Sequence, residues 1–136
     1  MEIITNWELE IDGVDKTGKD TLLRYLEVLS DYRYSVNVRG LVSQLAYNIL
    51  YNRNREYRLE DIPKQRKIIY LTADIEDLKA RIEITHEPNF DVEEHLRVFD
   101  SVVRQLQLNG FTILKFNTSK QTPYEIAKCI LEGKYE

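Results

Sequence analysis

The sequence predicts an α/β fold, a parallel sheet of about four strands with helices on both of its faces. Three observations carry this. Short β-prone runs alternate along the chain with segments whose apolar residues recur at helical spacing. The run Ile68-Ile69-Tyr70-Leu71 is continuously apolar, as befits a strand covered on both faces. Nearly every pair of successive strands is separated by a helical segment, the crossover that parallel pairing demands.

Trp7 to Asp12 alternates apolar with acidic residues, placing Trp7, Leu9 and Ile11 on one face of a first strand. Gly13 to Gly18 is a turn-rich loop. Thr21 to Leu29 follows with Leu22, Leu23, Leu26 and Leu29 at helical spacing. Tyr34 to Val38 reads as a short second strand. Leu41 to Tyr51 sets Leu41, Leu45, Ile49 and Leu50 on one helical stripe. Asn52 to Lys67 is highly charged and reads as a solvated connection with a helical turn. Lys67 to Thr72 is the third strand, with Asp74 as N-cap and Asp77 as the capping-box acid of a helix running to about Ile84. Thr85 to Phe90, with Pro88, is a loop. Val92 to Leu108 is a long amphipathic helix closed by Asn109-Gly110. Phe111 to Phe116 is the fourth strand and Pro123 to Leu131 the last helix.

The 136 residues suit one domain spanning 1–136. Apolar residues make up 43% and charged residues 31%, an ordinary globular balance. The net charge of −4 argues against a surface that coats long nucleic acid, which needs a basic excess. No apolar run reaches membrane-span length and no signal-peptide core opens the chain. Cys129 stands alone and reads as a small hydrophobe on a helix face; a reducing cytoplasm fits. His86 and His95 show no metal-ligand spacing with it and read as loop and helix-surface residues.

Gly13-Val14-Asp15-Lys16-Thr17-Gly18-Lys19 leaves a predicted strand and opens a predicted helix, the context in which a Walker A phosphate loop is credible. Its glycines let backbone N–H groups turn toward phosphate oxygens, and the helix N-terminus adds partial positive charge. Lys19 supplies a full charge to the β- and γ-phosphates of a nucleoside triphosphate. The fold is therefore expected to be P-loop NTPase-like. One departure is chemical: the Ser or Thr whose hydroxyl ligates Mg²⁺ is here Asp20. A carboxylate suits a hard cation, but it also stands as an anion beside a triphosphate. Thr21 keeps a hydroxyl one residue later, within reach of an α-phosphate.

This loop, with its acid in third place and a basic residue next, resembles that of thymidylate kinases. Arg39-Gly40-Leu41-Val42-Ser43-Gln44-Leu45-Ala46-Tyr47-Asn48 resembles the family's Asp-Arg segment with its following Ser, Ala-Tyr and amide. Ile69 to Asp74, with Leu78 and Arg81, resembles the strand and helix leading into the lid. The form is most similar to the short deoxynucleoside monophosphate kinases that bacteriophages carry. The resemblance implies ATP and Mg²⁺ as cofactors and a deoxynucleoside monophosphate as acceptor. It implies Lys16, Lys19 and Arg39 as catalytic cations, with Gly13, Asp15, Gly18, Lys19, Thr21 and Arg81 around ATP; Asp20, read from its own chemistry rather than from the resemblance, joins them as the expected metal ligand. Asp15, Arg39, Tyr47 and Asn48 would hold the acceptor: Asp15 its sugar, Arg39 its phosphate, Tyr47 and Asn48 its base. Arg81 would lie over the adenine, near the loop Asn117-Thr118-Ser119.

Each residue also has a plainer reading: Arg39 a surface arginine at a strand end, Asp15 a turn acid, Tyr47 a core aromatic, Arg81 a solvated helix cation. Three features depart from the family. The chain is short, with the acceptor-side strand and helices missing between Leu29 and Val36. Val38 replaces the acid of the Asp-Arg pair. The lid equivalent, Glu83 to Asp91, has no arginine, a role that Lys16 fills in one family class. Arg53, Arg55, Arg58, Lys64, Arg66 and Lys67 form a basic stretch, interrupted by Glu56, Glu60 and Asp61 and read as solvated. The leading expectation is thus a thymidylate-like kinase. Its rivals are a P-loop kinase acting on a base or end within DNA, and a catalytically silent nucleotide-binding protein of kinase ancestry. Whether the chain forms a homodimer stays open.

Overall fold

The computed structural model describes residues 8–33, 35–64, 66–85 and 91–133. Strand β1 (Glu8–Gly13) leads through a loop into α1 (Lys19–Leu29). Then come β2 (Ser35–Val38), α2 (Leu41–Leu50), a 3₁₀ turn at Leu59–Asp61, β3 (Lys67–Thr72) and α3 (Ile75–Thr85). The chain continues through α4 (Val92–Leu108) and β4 (Ile113–Asn117) to α5 (Pro123–Glu132). The four strands form one sheet in the order β2-β1-β3-β4, every neighbouring pair parallel. The expected α/β class and element order hold. Trp7, Tyr34 and the loop segment 86–90 lie outside the described residues.

Two apolar layers cover the sheet. On one side α1 and α5 pack Leu22, Leu26, Ile126 and Ile130 against Leu9, Ile11, Ile69 and Leu71. On the other, α2, α3 and α4 bring Leu41, Val42, Leu78, Phe99 and Val102 onto Ile68 and Tyr70. β3 is buried on both faces, as its unbroken apolar run requires. The α5 start is fixed by a reciprocal capping box between Thr122 and Glu125, and α4 by Asp91, whose carboxylate accepts from the Glu94 N–H.

Two expectations need correction. The buried side of α2 runs through Leu41, Val42, Ser43 and Ala46, so the helix is rotated from the predicted stripe and Ile49 is 55% exposed. His95 is not a surface residue: it is buried on α4 with its ring against the Tyr51 edge.

Candidate phosphate-binding site

The loop between β1 and α1 turns at the C-terminal edge of the sheet, where open α/β folds bind ligands. Gly13 is there because nothing larger fits: a Cβ would press on the Leu71 carbonyl oxygen and lie 2.8 Å from Thr17 Oγ1. Val14 and Thr17 face inward, and Thr17 Oγ1 donates to the Val14 carbonyl at 2.8 Å. Lys16 (φ 74°) and Gly18 (φ 97°) take left-handed conformations that bend the loop into α1. For Lys16 this costs on the order of 1–2 kcal/mol relative to an ordinary conformation.

Lys19 is the loop's centre. Its stem is buried, and its Nζ donates to the carbonyls of Gly13 (2.7 Å) and Val14 (3.0 Å). Burial pulls the ammonium down to about 8, against the counter-effect of nearby Asp15. An ammonium held by two neutral carbonyls is available to a stronger anionic partner. Asp20 and Thr21 follow in the first turn of α1, both exposed.

Two arginines flank the loop. On the β4 side Arg81 Nη1 donates to the Lys16 carbonyl (2.7 Å) and to Thr118 Oγ1 (3.3 Å). Thr118 is anchored in turn by its N–H on the Thr72 carbonyl at 2.8 Å. The rest of this loop is tied to the end of β3: Asn117 Nδ2 donates to Asp74 Oδ1 (3.1 Å) and the Asp74 N–H to Ser119 Oγ (2.8 Å). On the β2 side Arg39, also left-handed (φ 69°), sets Nη2 3.4 Å from Asp15 Oδ1. Tyr47 lies beside them; burial raises its hydroxyl's pKa, as does Asp15, while a hydrogen bond with Arg39 opposes both. Lys16, Lys19, Asp15, Arg39, Tyr47 and Arg81 are therefore brought together around one loop. The Asn48 amide is engaged elsewhere, exchanging hydrogen bonds of 2.9 Å with the backbone of Arg55.

Beneath the site lie residues whose part the sequence reading missed. Glu10 and Asp12 alternate with Leu9 and Ile11 on β1, yet both are buried. Asp12 Oδ1 accepts from the Ser43 N–H (3.0 Å) and Oγ (2.6 Å), while its buried Oδ2 has no hydrogen-bond partner among the described residues. Burial raises this carboxyl's pKa; the Ser43 bonds pull the other way. Glu10 Oε1 accepts from the Leu41 N–H (2.9 Å), and its Oε2 pairs with Arg66 Nη1 (2.7 Å). Arg66 is accordingly no solvated member of the basic stretch. The available signal was two acids at i and i+2 entering a glycine loop, opposite a helix that starts Gly40-Leu41-Val42-Ser43 without an acidic cap.

No family model matches the sequence, and no curated protein is significantly similar to it. Among solved structures the chain is similar to the YorR protein of Bacillus subtilis, determined in complex with phosphorylated GDP. The TM-score is 0.74 at 18% identity, over 92% of this chain and 94% of that one. The likeness is one of fold, and the fold is P-loop NTPase-like. Among the described residues no helix is long and apolar enough to cross a membrane.

Proposed function

We propose that the chain is a nucleotide phosphotransferase that takes the terminal phosphoryl group of ATP to a deoxynucleoside monophosphate, in the manner of thymidylate kinases. The observation that carries this reading is the geometry at Lys19: a buried ammonium held by the Gly13 and Val14 carbonyls, with Arg81 on one side of its loop and Arg39 on the other. Phosphoryl transfer asks for aligned reactants and neutralised charge more than for covalent chemistry. The loop N–H groups, Lys19 and Lys16 would receive the β- and γ-phosphates. Arg39 would exchange Asp15 for the acceptor's phosphate, which a guanidinium holds as a two-pronged partner. Tyr47, beside Arg39, would bound the acceptor side, and Arg81 with Thr118 the donor base.

The residues fit Mg²⁺ in a restricted way. Among the described residues no group of three or more His, Cys, Asp or Glu stands ready for a metal. A magnesium ion carried by a triphosphate keeps several waters and needs only one or two carboxylates. Asp20, exposed at the start of α1, is the carboxylate we assign to it. The ion would supply charge neutralisation across the β- and γ-oxygens.

A second reading, a weak or silent nucleotide-binding protein, is favoured by Val38. It puts an apolar side chain beside Arg39 where related kinases carry an acid. One experiment separates the two. ATP affinity of wild type and Lys19→Ala is measured by calorimetry, and ADP release is followed with each monophosphate in turn. Guanine nucleotides join the panel because of the ligand of the YorR protein. Binding lost in Lys19→Ala with turnover in the wild type supports the kinase. Lys19-dependent binding without turnover selects the silent protein. Equal affinity in both proteins rejects the phosphate loop itself.

A further inference from the structure

We propose that Glu10, working with Arg66, is the positioning residue for Arg39. The role of Arg39 as acceptor clamp rests on the kinase reading above; the corner that holds it does not.

Helix α2 starts with a problem of hydrogen bonding. Its N-cap is Gly40, which has no side chain to satisfy the first free N–H groups. The strand beside it supplies the missing acceptors. Glu10 Oε1 takes the Leu41 N–H at 2.9 Å, and two residues further along β1 Asp12 Oδ1 takes the Ser43 N–H at 3.0 Å. Gly40 is glycine because the Glu10 side chain fills the space a Cβ would need, 2.7 Å from its Cδ. The carboxylate's other oxygen is claimed by Arg66 at 2.7 Å. Glu10 is thus wedged between a helix start and a guanidinium, with its side chain only 7% exposed.

Arg39 is the residue just before this wedge. Its N–H is fixed on the Ile11 carbonyl at 2.9 Å, and its backbone is left-handed, a state an arginine does not choose by itself. The corner between Ile11 and Leu41 holds it there and aims the guanidinium at Asp15, 3.4 Å away. A buried ion pair by itself argues weakly for stability; fixing one arrangement is its better-attested use. Here the arrangement fixed is the direction of the arginine.

The test uses three variants of the full chain. Glu10→Ala removes the helix acceptor and the ion pair together. Glu10→Gln keeps an acceptor for Leu41 but no charge for Arg66. Gly40→Ala pushes on the carboxylate without touching either charge. The first readout is the side-chain Nε–Hε NMR signal of Arg39, with hydrogen exchange of the Leu41 and Ser43 amides. The Arg39 signal should move and broaden in Glu10→Ala, recover partly in Glu10→Gln, and move in Gly40→Ala. Leu41 exchange should rise about tenfold or more where its acceptor is lost. ATP affinity should stay within about twofold, because Lys19 Nζ is held by the carbonyls of Gly13 and Val14 and not by the Glu10 corner. The second readout is KM for thymidine monophosphate. It should rise about tenfold in Glu10→Ala with kcat little changed, and the rise should vanish in an Arg39→Ala background. A folded Glu10→Ala protein with an unmoved Arg39 signal overturns the proposal. If Glu10→Ala does not fold, Glu10→Gln and Gly40→Ala decide in the same way. Absence of turnover in the wild type counts against the kinase reading alone, since the NMR arm still stands or falls by itself.

Discussion

The two faces of β1 meet opposite chemistry within one strand. Leu9 and Ile11 point into a dry layer with Leu22, Leu26, Ile69 and Leu71. Glu10 and Asp12 point the other way and are just as buried, yet they are met by N–H groups, a hydroxyl and a guanidinium. Strand alternation is commonly read as core against water. Here it separates a layer that binds by exclusion of water from one that binds by directed hydrogen bonds. The first tolerates some sliding of side chains. The second fixes angles, and it is the one that lies under Arg39.

The apolar face breaks hardest. Ile11→Ala should cost about 2–5 kcal/mol, the range for removing a buried aliphatic side chain that leaves a cavity. Urea unfolding measures it. ATP affinity of the folded fraction should be unchanged, because Ile11 touches the site only through its backbone. A loss below about 1 kcal/mol would mean that the α1 and α5 layer closes over the gap.

The acid face should break by less, and with a pH signature the other face lacks. Ser43→Ala leaves Asp12 Oδ1 with one donor in place of two, and its Oδ2 already has none among the described residues. Loss of a hydrogen bond to a charged group costs about 1.5–3 kcal/mol. Asp12 is an acid whose folded pKa is raised by burial. The folded state therefore takes up its proton at a higher pH than the unfolded chain, whose value is near 3.8. Stability attributable to Asp12 falls as pH rises through that window, and the ionised carboxylate is the form that most needs Ser43. The Ser43→Ala deficit should be largest at neutral pH and shrink toward pH 4. Denaturant midpoints across that range check it; a pH-independent deficit would mean Asp12 is already neutral at pH 7.

How far the sequence revealed each region follows from the kind of force involved. The order of the elements along the chain and the helices on both faces of the sheet were readable, because period and β-propensity act over short windows. The tight turn from β1 into α1 was readable because Gly13, Gly18 and Lys19 have few other reasons to occur at that spacing between strand and helix, and whether it takes phosphate is what the Lys19→Ala titration decides. The rotation of α2 was not, since the choice between the Ile49 stripe and the Val42–Ala46 stripe depends on how closely β1 approaches. The partnership of Glu10 with Arg66 was not readable either. It joins residues far apart in the chain, and a basic stretch looks solvated until a buried acid is found to face it. Asn48 fitted a family-like pattern, but its amide is used locally by Arg55.

The smallest effect we predict concerns Lys19, and it ties stability and binding together with opposite signs. In the free protein Lys19 Nζ donates to the carbonyls of Gly13 and Val14, and burial lowers its pKa from the ordinary 10.5 to about 8. A folded pKa below the unfolded one means that the folded chain gives up this proton first. The contribution of Lys19 to folding is therefore least favourable below about pH 8 and improves as pH rises from there to 10.5. Phosphate reverses the preference, since an ammonium beside two anionic groups keeps its proton. Binding ATP above pH 8 must then bring a proton in. At pH 7 about nine-tenths of the free protein would carry the charge and at pH 9 about one-tenth, so affinity should fall roughly tenfold between them. The nucleotide's own terminal phosphate, with a last pKa near 6, only gains negative charge over this range and so cannot produce a fall in affinity. Calorimetry at pH 8 in two buffers of different ionisation enthalpy should show uptake of about half a proton, and the Lys19→Arg protein should show none. Affinity that stays flat to pH 9 in the wild type would mean that Lys19 keeps its proton in the free protein or that the nucleotide lies away from it, and the Lys19→Ala titration separates the two.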